Sequence, residues 1–375
     1  SSHKGKSYSQ FGYMEGSYEI DTLNLITFSA NLFGYGYESN GLGTTQMMNA
    51  QRQHAYSYNL VSKSENSSTH FNANFDYQRS FKKKGEYLTF SYRYGTSPNT
   101  NESHTDYDDI KDYPYDASYL YNQFYDNHSR TDEHIFQLDY TNPINKVHSI
   151  DFGGKYILRN NKSESDYFKR SVTSNDYYLD ERPESYYQQI HHIASAYADY
   201  MVKTKKLSAK AGVRYEHTFS DVKYEKMPER NFDAGFDNLV PSVRLGYQLA
   251  PSKMLSFSYQ MRIARPNINL LNPFRNTSNP TSVHYGNPDL DPAKSHRFGL
   301  SVNSFSAKFS TNINLSYRLV NNSIQGYTFM QDGIQHSTYA NIGRAQTTDL
   351  FIWANWNPGS KLRISMNAGG SYKDY

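Results

Sequence analysis

The feature that most constrains this chain is a two-residue alternation of apolar and polar side chains across a tight turn, between residues 238 and 263. The turn is Ala250-Pro251-Ser252-Lys253. One face of the two flanking arms holds Leu239, Val243, Leu245, Tyr247, Leu249, Leu255, Phe257, Tyr259, Met261 and Ile263, and the other holds Ser242, Arg244, Gly246, Gln248, Ser256, Ser258, Gln260 and Arg262. Because successive side chains of a strand point to opposite faces, the pattern predicts an antiparallel hairpin.

The two faces of this hairpin differ in charge. A soluble sheet with one buried face also alternates, so alternation alone does not identify the surroundings. The polar face, however, includes Arg244 and Arg262, whereas the apolar face has no charged residue. Lipid outside and water inside is the simplest environment that requires such a pair of faces, which indicates a transmembrane β-barrel.

The same hairpin plan repeats along the chain and predicts about fourteen antiparallel strands. One rim has turns of about two to six residues, and the other has long connections, including residues 38–66, 97–127 and 265–294. This asymmetry is typical of outer-membrane barrels, and a soluble sandwich has no reason to show it. Aromatic residues near both ends of the arms, such as Tyr77 and Phe81 or Tyr92 and Tyr94, suit the two membrane interfaces.

The amino-acid composition indicates that strands, and not helices, cross the membrane. The 375 residues are only 37% hydrophobic but include 36 Tyr and 21 Phe, and they include no Cys. No apolar run approaches the ~20 residues of a membrane helix. The net charge of +3 is mild and the basic residues are dispersed, so nucleic acid is a poor candidate partner. We therefore predict a location in the outer membrane of a Gram-negative bacterium, in contact with its lipid.

The chain starts and ends close to or within arms. We expect residues 1–375 to form part of one transmembrane β-barrel domain, with an N-terminal plug and the last strands not present.

A run of motifs in the loop after Arg262 resembles the outer-membrane β-barrel family of TonB-dependent receptors. These motifs are Arg265-Pro266, Leu271-Asn272-Pro273-Phe274 and Gly286-Asn287-Pro288-x-Leu290-x-Pro292. Downstream, a long strand, an Asp332-Gly333 turn and a strand that ends in Asn341-x-Gly343 also resemble that family.

The resemblance implies a barrel of about twenty-two strands. It also implies an N-terminal plug inside the barrel and a segment that contacts TonB, both missing from this chain, and a surface lipoprotein is a further candidate partner. The implied function is uptake of a nutrient across the outer membrane, and siderophores, cobalamin, glycans and peptides are all candidates. No cofactor is expected.

The best candidate for ligand capture is the tyrosine- and aspartate-rich stretch 105–125. Aromatic rings stack on sugars or flat chelates, and carboxylates hold cations, although the aspartates lack the spacing of a calcium loop and we expect no metal site. Together with three residues of the motif loop, the predicted ligand-binding residues are Tyr107, Tyr113, Tyr115, Tyr119, Tyr121, Arg265, Asn272 and Asn287. The loop residues also have a purely structural explanation, because proline restricts the preceding residue and asparagine favours turns.

Basic residues on the polar face have two interpretations. They either line a path for a solute or pair with a plug and with neighbouring carboxylates. This set contains Arg93, Lys155, Arg214, Arg244, Arg262, Arg318 and Arg363.

Nothing in the sequence indicates catalysis. There is no G-x-S-x-G, no H-E-x-x-H, no glycine-rich phosphate loop and no cysteine. We expect no catalytic residues, although an outer-membrane enzyme with scattered site residues is one alternative. The other is a surface-exposed glycan-binding or adhesin β-protein that does not cross the membrane.

Overall fold

The computed structural model describes residues 2–113, 121–174, 176–182, 185–271, 276–279, 282–287, 289–331 and 334–374. Most of them lie in strands of one sheet. The strands are β1 (Ser2–Asp21), β2 (Asn24–Met48), β3 (His54–Ser80), β4 (Tyr87–Lys111), β5 (Tyr121–Pro143), β6 (His148–Ser171), β7 (Tyr178–Leu179), β8 (Tyr187–Lys203), β9 (Leu207–Tyr224), β10 (Phe232–Ala250), β11 (Lys253–Ala264), β12 (Asn276–Asn279), β13 (Ser282–His284), β14 (Ala293–Ser304), β15 (Phe309–Gln331), β16 (Ile334–Gly359) and β17 (Leu362–Asp374). A short helix, α1 (Ile268–Leu271), follows β11. In this part of the chain no helix has the length and apolar character to cross a membrane.

The long strands pair as successive antiparallel neighbours. From β1 to β6 each strand pairs with the next, and the order continues through β8, β9, β10, β11, β14, β15, β16 and β17. The short strands β7, β12 and β13 belong to connections, which leaves fourteen long strands in the 17-stranded sheet. The predicted all-β antiparallel fold and the predicted number of long strands are confirmed.

Two predicted loops are in fact strand, and this is the main correction to the sequence-based expectation. Residues 38–66 were expected to be a long connection, but the β2–β3 ladder continues through Glu38 opposite Glu65 and ends only near Met48. In the same way β4 continues to Lys111, so most of the expected loop 97–127 is also paired. These segments carry few apolar residues, so apolar alternation marks them only briefly, at Tyr56, Tyr58 and Leu60, and the ladder of backbone hydrogen bonds extends the hairpins.

Register assigns the side chains to two faces. Ser91, Gln137, Lys155, Ser195 and Glu216 are successive partners across β4, β5, β6, β8 and β9, so they share one face, which we call the inner face. The opposite, outer face has large apolar side chains that remain exposed, such as Leu138 at 49% and Phe152 at 47%. The predicted separation of polar and apolar faces is therefore present across the sheet.

Candidate functional site

The most buried part of the inner face is the far half of β9, away from the short turns. Glu216, Thr218 and Ser220 have exposures of only 6%, 1% and 2%, whereas the alternate residues Tyr215 and Phe219 remain exposed on the outer face. A sheet that buries polar side chains and exposes aromatic ones needs a cover over its polar face. That cover includes the described residues 265–271, 276–279, 282–287 and 289–292 between β11 and β14, which we call the inner strap.

Arg265, the first residue of the inner strap, is bound to this buried surface. Its guanidinium forms an ion pair with the Glu216 carboxylate, and its Nε donates to Thr218 Oγ1 at 3.1 Å. Glu216 also pairs with Arg214, whose Nε lies 3.4 Å from Glu216 Oε2. The Arg265 and Glu216 side chains are only 24% and 8% exposed. Two cations thus share one buried carboxylate on the inner face.

The charge on Arg265 depends on that carboxylate. Burial, together with repulsion from Arg159 and Arg214, lowers the pKa of Arg265 to about 10. The guanidinium remains protonated at neutral pH, so a charge is held in a largely dehydrated position. Such a charge requires a nearby anion, which Glu216 provides.

The middle of the inner strap is held by Asn287. Its Nδ2 donates to the carbonyl oxygen of Tyr339 at 3.0 Å, and its backbone N–H donates to the Leu270 carbonyl oxygen at 2.7 Å. Strand β13 pairs in parallel with Gln335–Ser337 of β16, next to this contact. Leu271 and Leu290 are each 1% exposed. The strap is therefore fixed by backbone hydrogen bonds and two buried leucines.

Two further asparagines hold the end of the strap, and sequence reasoning did not assign them a role. Asn341 donates from Nδ2 to the Asp291 carbonyl oxygen and accepts at Oδ1 from the Asp291 N–H, both at 2.9 Å. Asn322 donates to the Pro292 carbonyl oxygen at 3.0 Å and accepts from the Lys294 N–H at 2.8 Å. The Asn341-x-Gly343 motif was a visible signal for Asn341, and Asn322 had none.

A second group of predicted residues meets at the far ends of β3 and β4. The Tyr107 ring packs edge-on against Tyr58 with centroids 5.3 Å apart, and the Tyr113 ring packs edge-on against Tyr56 at 5.4 Å. Tyr56 and Tyr58 lie 6.4 Å apart. We call Tyr56, Tyr58, Tyr107 and Tyr113 the tyrosine cluster. Asn122 accepts a hydrogen bond from the Tyr107 N–H at 2.8 Å, which joins β5 to the cluster.

Tyr121 lies in a neighbouring group of rings and paired charges. It packs edge-on against Tyr178 at 6.3 Å, with Lys169 Nζ 5.8 Å from its ring centre. Lys169 also pairs with Asp180 at 3.0 Å, and Asp180 pairs with Arg182 at 2.9 Å. The Arg182 guanidinium lies 4.1 Å from the centre of the Tyr167 ring.

The structure thus places the predicted residues in two regions. Tyr107 and Tyr113 share the tyrosine cluster, with Tyr121 beside it, while Arg265 and Asn287 lie on the inner strap. Tyr115, Tyr119 and Asn272 lie outside the described residues, as do Asp332 and Gly333 of the predicted turn. Within the described ranges no three His, Asp or Glu side chains are grouped so that they could hold a metal ion.

The inner face also presents two buried polar groups without a hydrogen-bond partner among the described residues. They are both ring nitrogens of His191 on β8, which is 9% exposed, and both amide atoms of Asn238 on β10, which is 3% exposed. Asn238 pairs in register with Glu216, and His191 with Ser220. Buried polar atoms normally have partners, so these two groups are exceptions on the inner face.

Comparison with known proteins identifies the family to which this fold belongs. Residues 79–375 match the profile of the outer membrane protein β-barrel family. No curated protein matches the chain. Three similar solved structures are the siderophore receptor PiuA from Acinetobacter baumannii (TM-score 0.57, 11% identity), the Serratia marcescens hemophore receptor HasR in complex with HasA and heme (0.58, 12%), and the ferric-catecholate import receptor Fiu from Escherichia coli K12 (0.55, 10%). The alignments cover 99%, 99% and 98% of this chain but only 63%, 63% and 64% of those chains.

Proposed function

Because this chain belongs to the outer membrane protein β-barrel family, we propose that the whole protein is a TonB-dependent receptor that binds a nutrient and admits it to the periplasm. The family assignment confirms the predicted barrel fold and outer-membrane location. The three solved neighbours are receptors, and we propose that this chain likewise performs uptake rather than catalysis.

The observation that carries this proposal is the inner strap. Irregular backbone inside a barrel is tolerated where protein buries it or where it lines a cavity. Here a buried ion pair fixes one end of the strap to β9, and asparagine side chains fix the other end to β15 and β16. A barrel whose inner face is covered in this way is suited to selective passage rather than to free diffusion.

The tyrosine cluster and its neighbour Tyr121 are proposed to make the first contact with the ligand. Their rings offer apolar faces with hydroxyl groups at the edge, a combination that binds flat or ring-shaped molecules. Siderophores, cobalamin, glycans and peptides with aromatic groups all remain candidates. The charged groups next to Tyr121 are paired with one another, so they supply hydrogen bonds more than net charge.

A plug inside the barrel, and TonB acting through it, are proposed partners of the inner face. Arg244, Arg262 and Arg318 share the inner face by register, as predicted, and are positioned to pair with carboxylates of a plug.

Uptake by the whole protein tests the proposal. Material that co-purifies with the intact protein is identified by mass spectrometry, and its radiolabelled form is then supplied to cells with and without TonB. Uptake should require both the protein and TonB. Equal uptake in cells that lack TonB would contradict the proposal.

The adhesin alternative predicts a different behaviour. A transmembrane barrel should change its gel mobility on heating in detergent and resist protease except at its outer rim, whereas a surface module that does not cross the membrane should remain monodisperse without detergent. Hydrolysis of ester or peptide substrates would support the enzyme alternative.

A further inference from the structure

A repeated pair of residues occurs on the outer face, where a tyrosine hydroxyl meets the Nδ1 of a histidine on the neighbouring strand. The distances are 2.9 Å for Tyr92 and His134, 2.7 Å for Tyr156 and His192, and 2.9 Å for Tyr259 and His296. In each pair the histidine lies two positions along from the residue directly opposite the tyrosine, so the geometry repeats.

These pairs lie at a similar height in the sheet. His134, His192 and His296 are nine, eleven and eight residues from the short-turn ends of β5, β8 and β14. A transmembrane strand crosses the hydrocarbon layer in about 9–11 residues, and short turns face the periplasm. The three histidines therefore lie at the boundary between the acyl chains and the head groups of the outer leaflet.

Either partner of this contact can be the donor, and one arrangement leaves the imidazole with an outward N–H. When the phenol donates to Nδ1, the neutral ring carries its proton on Nε2. Each pair then presents the histidine Nε2–H as a donor to its surroundings, while the tyrosine hydroxyl occupies Nδ1.

A groove of about 640 Å³ adjoins the first pair. It is lined by Tyr92, Tyr94, Arg130, Asp132, His134, Leu158, Asn160 and Ile190. Arg130, whose side chain is 56% exposed, pairs with Asp132 at 2.8 Å through one edge of the guanidinium. Arg130, Asp132 and Asn160 lie farther from the short turns than Tyr92, so the groove becomes more polar toward the outside of the cell.

We propose that this groove binds the phosphorylated head group of an outer-leaflet glycolipid, with Arg130 and His134 as donors to phosphate. Arginine suits this role because its planar guanidinium donates several N–H bonds in one direction. Tyr92 and Leu158 contact the upper part of the acyl chains. The Tyr156–His192 and Tyr259–His296 pairs extend the same band of donors around the barrel.

Native mass spectrometry of the whole protein in nanodiscs tests this inference. The nanodiscs contain a neutral phospholipid and a small fraction of diphosphorylated lipid A, and the bound lipid A molecules are counted. The test variant is R130Q/H134F. The control is H148F, because His148 forms the same kind of pair with Tyr200 at 2.6 Å but lies at the first residue of β6, on the periplasmic side.

We expect the test variant to retain about fivefold less lipid A than the wild type, and the control to retain as much as the wild type. Lipid A without phosphate should be retained equally by all three proteins. The inference is overturned if the test variant retains lipid A normally, if the control loses it equally, or if phosphatidylglycerol is retained as well as lipid A. Heat-modified gel mobility verifies that each variant is folded, and R130Q alone replaces the double variant if the latter is not.

Discussion

Arg265, at the start of the inner strap, forms a buried ion pair with Glu216 in the middle of β9. The pair joins two segments that are far apart in sequence, and it places a positive charge where little water reaches. It is the contact on which the position of the strap in the barrel most directly depends.

Replacement of Arg265 by alanine should therefore loosen the strap. Loss of one partner of a buried pair costs about 3–5 kcal/mol, and partial exposure of Arg265 reduces the expected loss in the free energy of unfolding to about 2 kcal/mol. Urea unfolding in detergent micelles measures it. R297A is the matched control because Arg297 is exposed on β14, which directly follows the strap, and a similar loss in both variants would contradict the assigned role.

The asparagine contacts predict a graded effect at the other end of the strap. N341D keeps the acceptor for the Asp291 N–H but loses the Nδ2 donor, whereas N341A loses both. Hydrogen exchange at residues 289–294 should rise in N341A and rise more in N341D, because the second carboxylate oxygen would face the Asp291 and Asn322 carbonyl oxygens. N40A on the exposed part of β2 serves as a control. Exchange that is unchanged in N341A would mean that the leucines alone hold the strap.

The tyrosine cluster predicts that rings matter more than hydroxyl groups for ligand capture. Y107A should weaken binding of the co-purifying ligand about tenfold, since a lost ring contact costs about 0.5–1.5 kcal/mol. Y107F should bind within about threefold of the wild type. Isothermal titration calorimetry measures both, with Y247A on the outer face as control. Normal binding by Y107A would remove this cluster from the site.

The connection between β7 and β8 predicts a specific pH dependence. Burial raises the pKa of Asp180, but hydrogen bonds from Lys169 and Arg182 outweigh it and hold the pKa below the usual range. The stabilisation is therefore present above the unfolded pKa of about 4 and is lost as the pH falls through the lower folded value.

Protection of residues 176–182 from hydrogen exchange, corrected for the intrinsic rate, should be constant from pH 7 to pH 5 and fall only in more acidic solution. In D180N it should be lower and independent of pH. A decline already near pH 6 would point to a histidine instead.

Close packing around a glycine of the inner face predicts that adding a single methyl group there lowers the stability of the barrel. A Cβ added at Gly153 would lie 2.6 Å from the Leu138 carbonyl oxygen, whereas one at Gly235 would meet nothing within 4 Å. G153A should destabilise the barrel by about 1–3 kcal/mol, and G235A should have little effect. Urea unfolding compares the two, and equal stability would show that the backbone at Gly153 adjusts freely.

The sequence predicted the membrane-spanning strands well, because lipid on one side and polar surroundings on the other impose alternation. The predicted turn Ala250-Pro251-Ser252-Lys253 lies where β10 ends at Ala250 and β11 begins at Lys253. Beyond the membrane that constraint ends, which explains why the polar ladder between Glu38 and Glu65 was interpreted as a loop.

The candidate site was predicted only in part, because its contacts join distant segments. Motif resemblance identified Arg265 and Asn287, but their partners Glu216 and Tyr339 depend on strand register. Asn322 lies in a polar stretch with no local signal. Nothing in the local sequence distinguishes an asparagine that binds a distant carbonyl group from one that faces solvent.

The length of β3 has a consequence for how a ligand meets this protein. Its 27 residues at ~3.3 Å each extend about 90 Å, of which only a third is needed to cross the bilayer. The remainder is a rigid extension of the sheet beyond the membrane, hydrogen-bonded on both sides to β2 and β4. A ligand therefore meets strands that are already ordered, and little of its binding free energy is lost to ordering the protein at the entrance of the barrel.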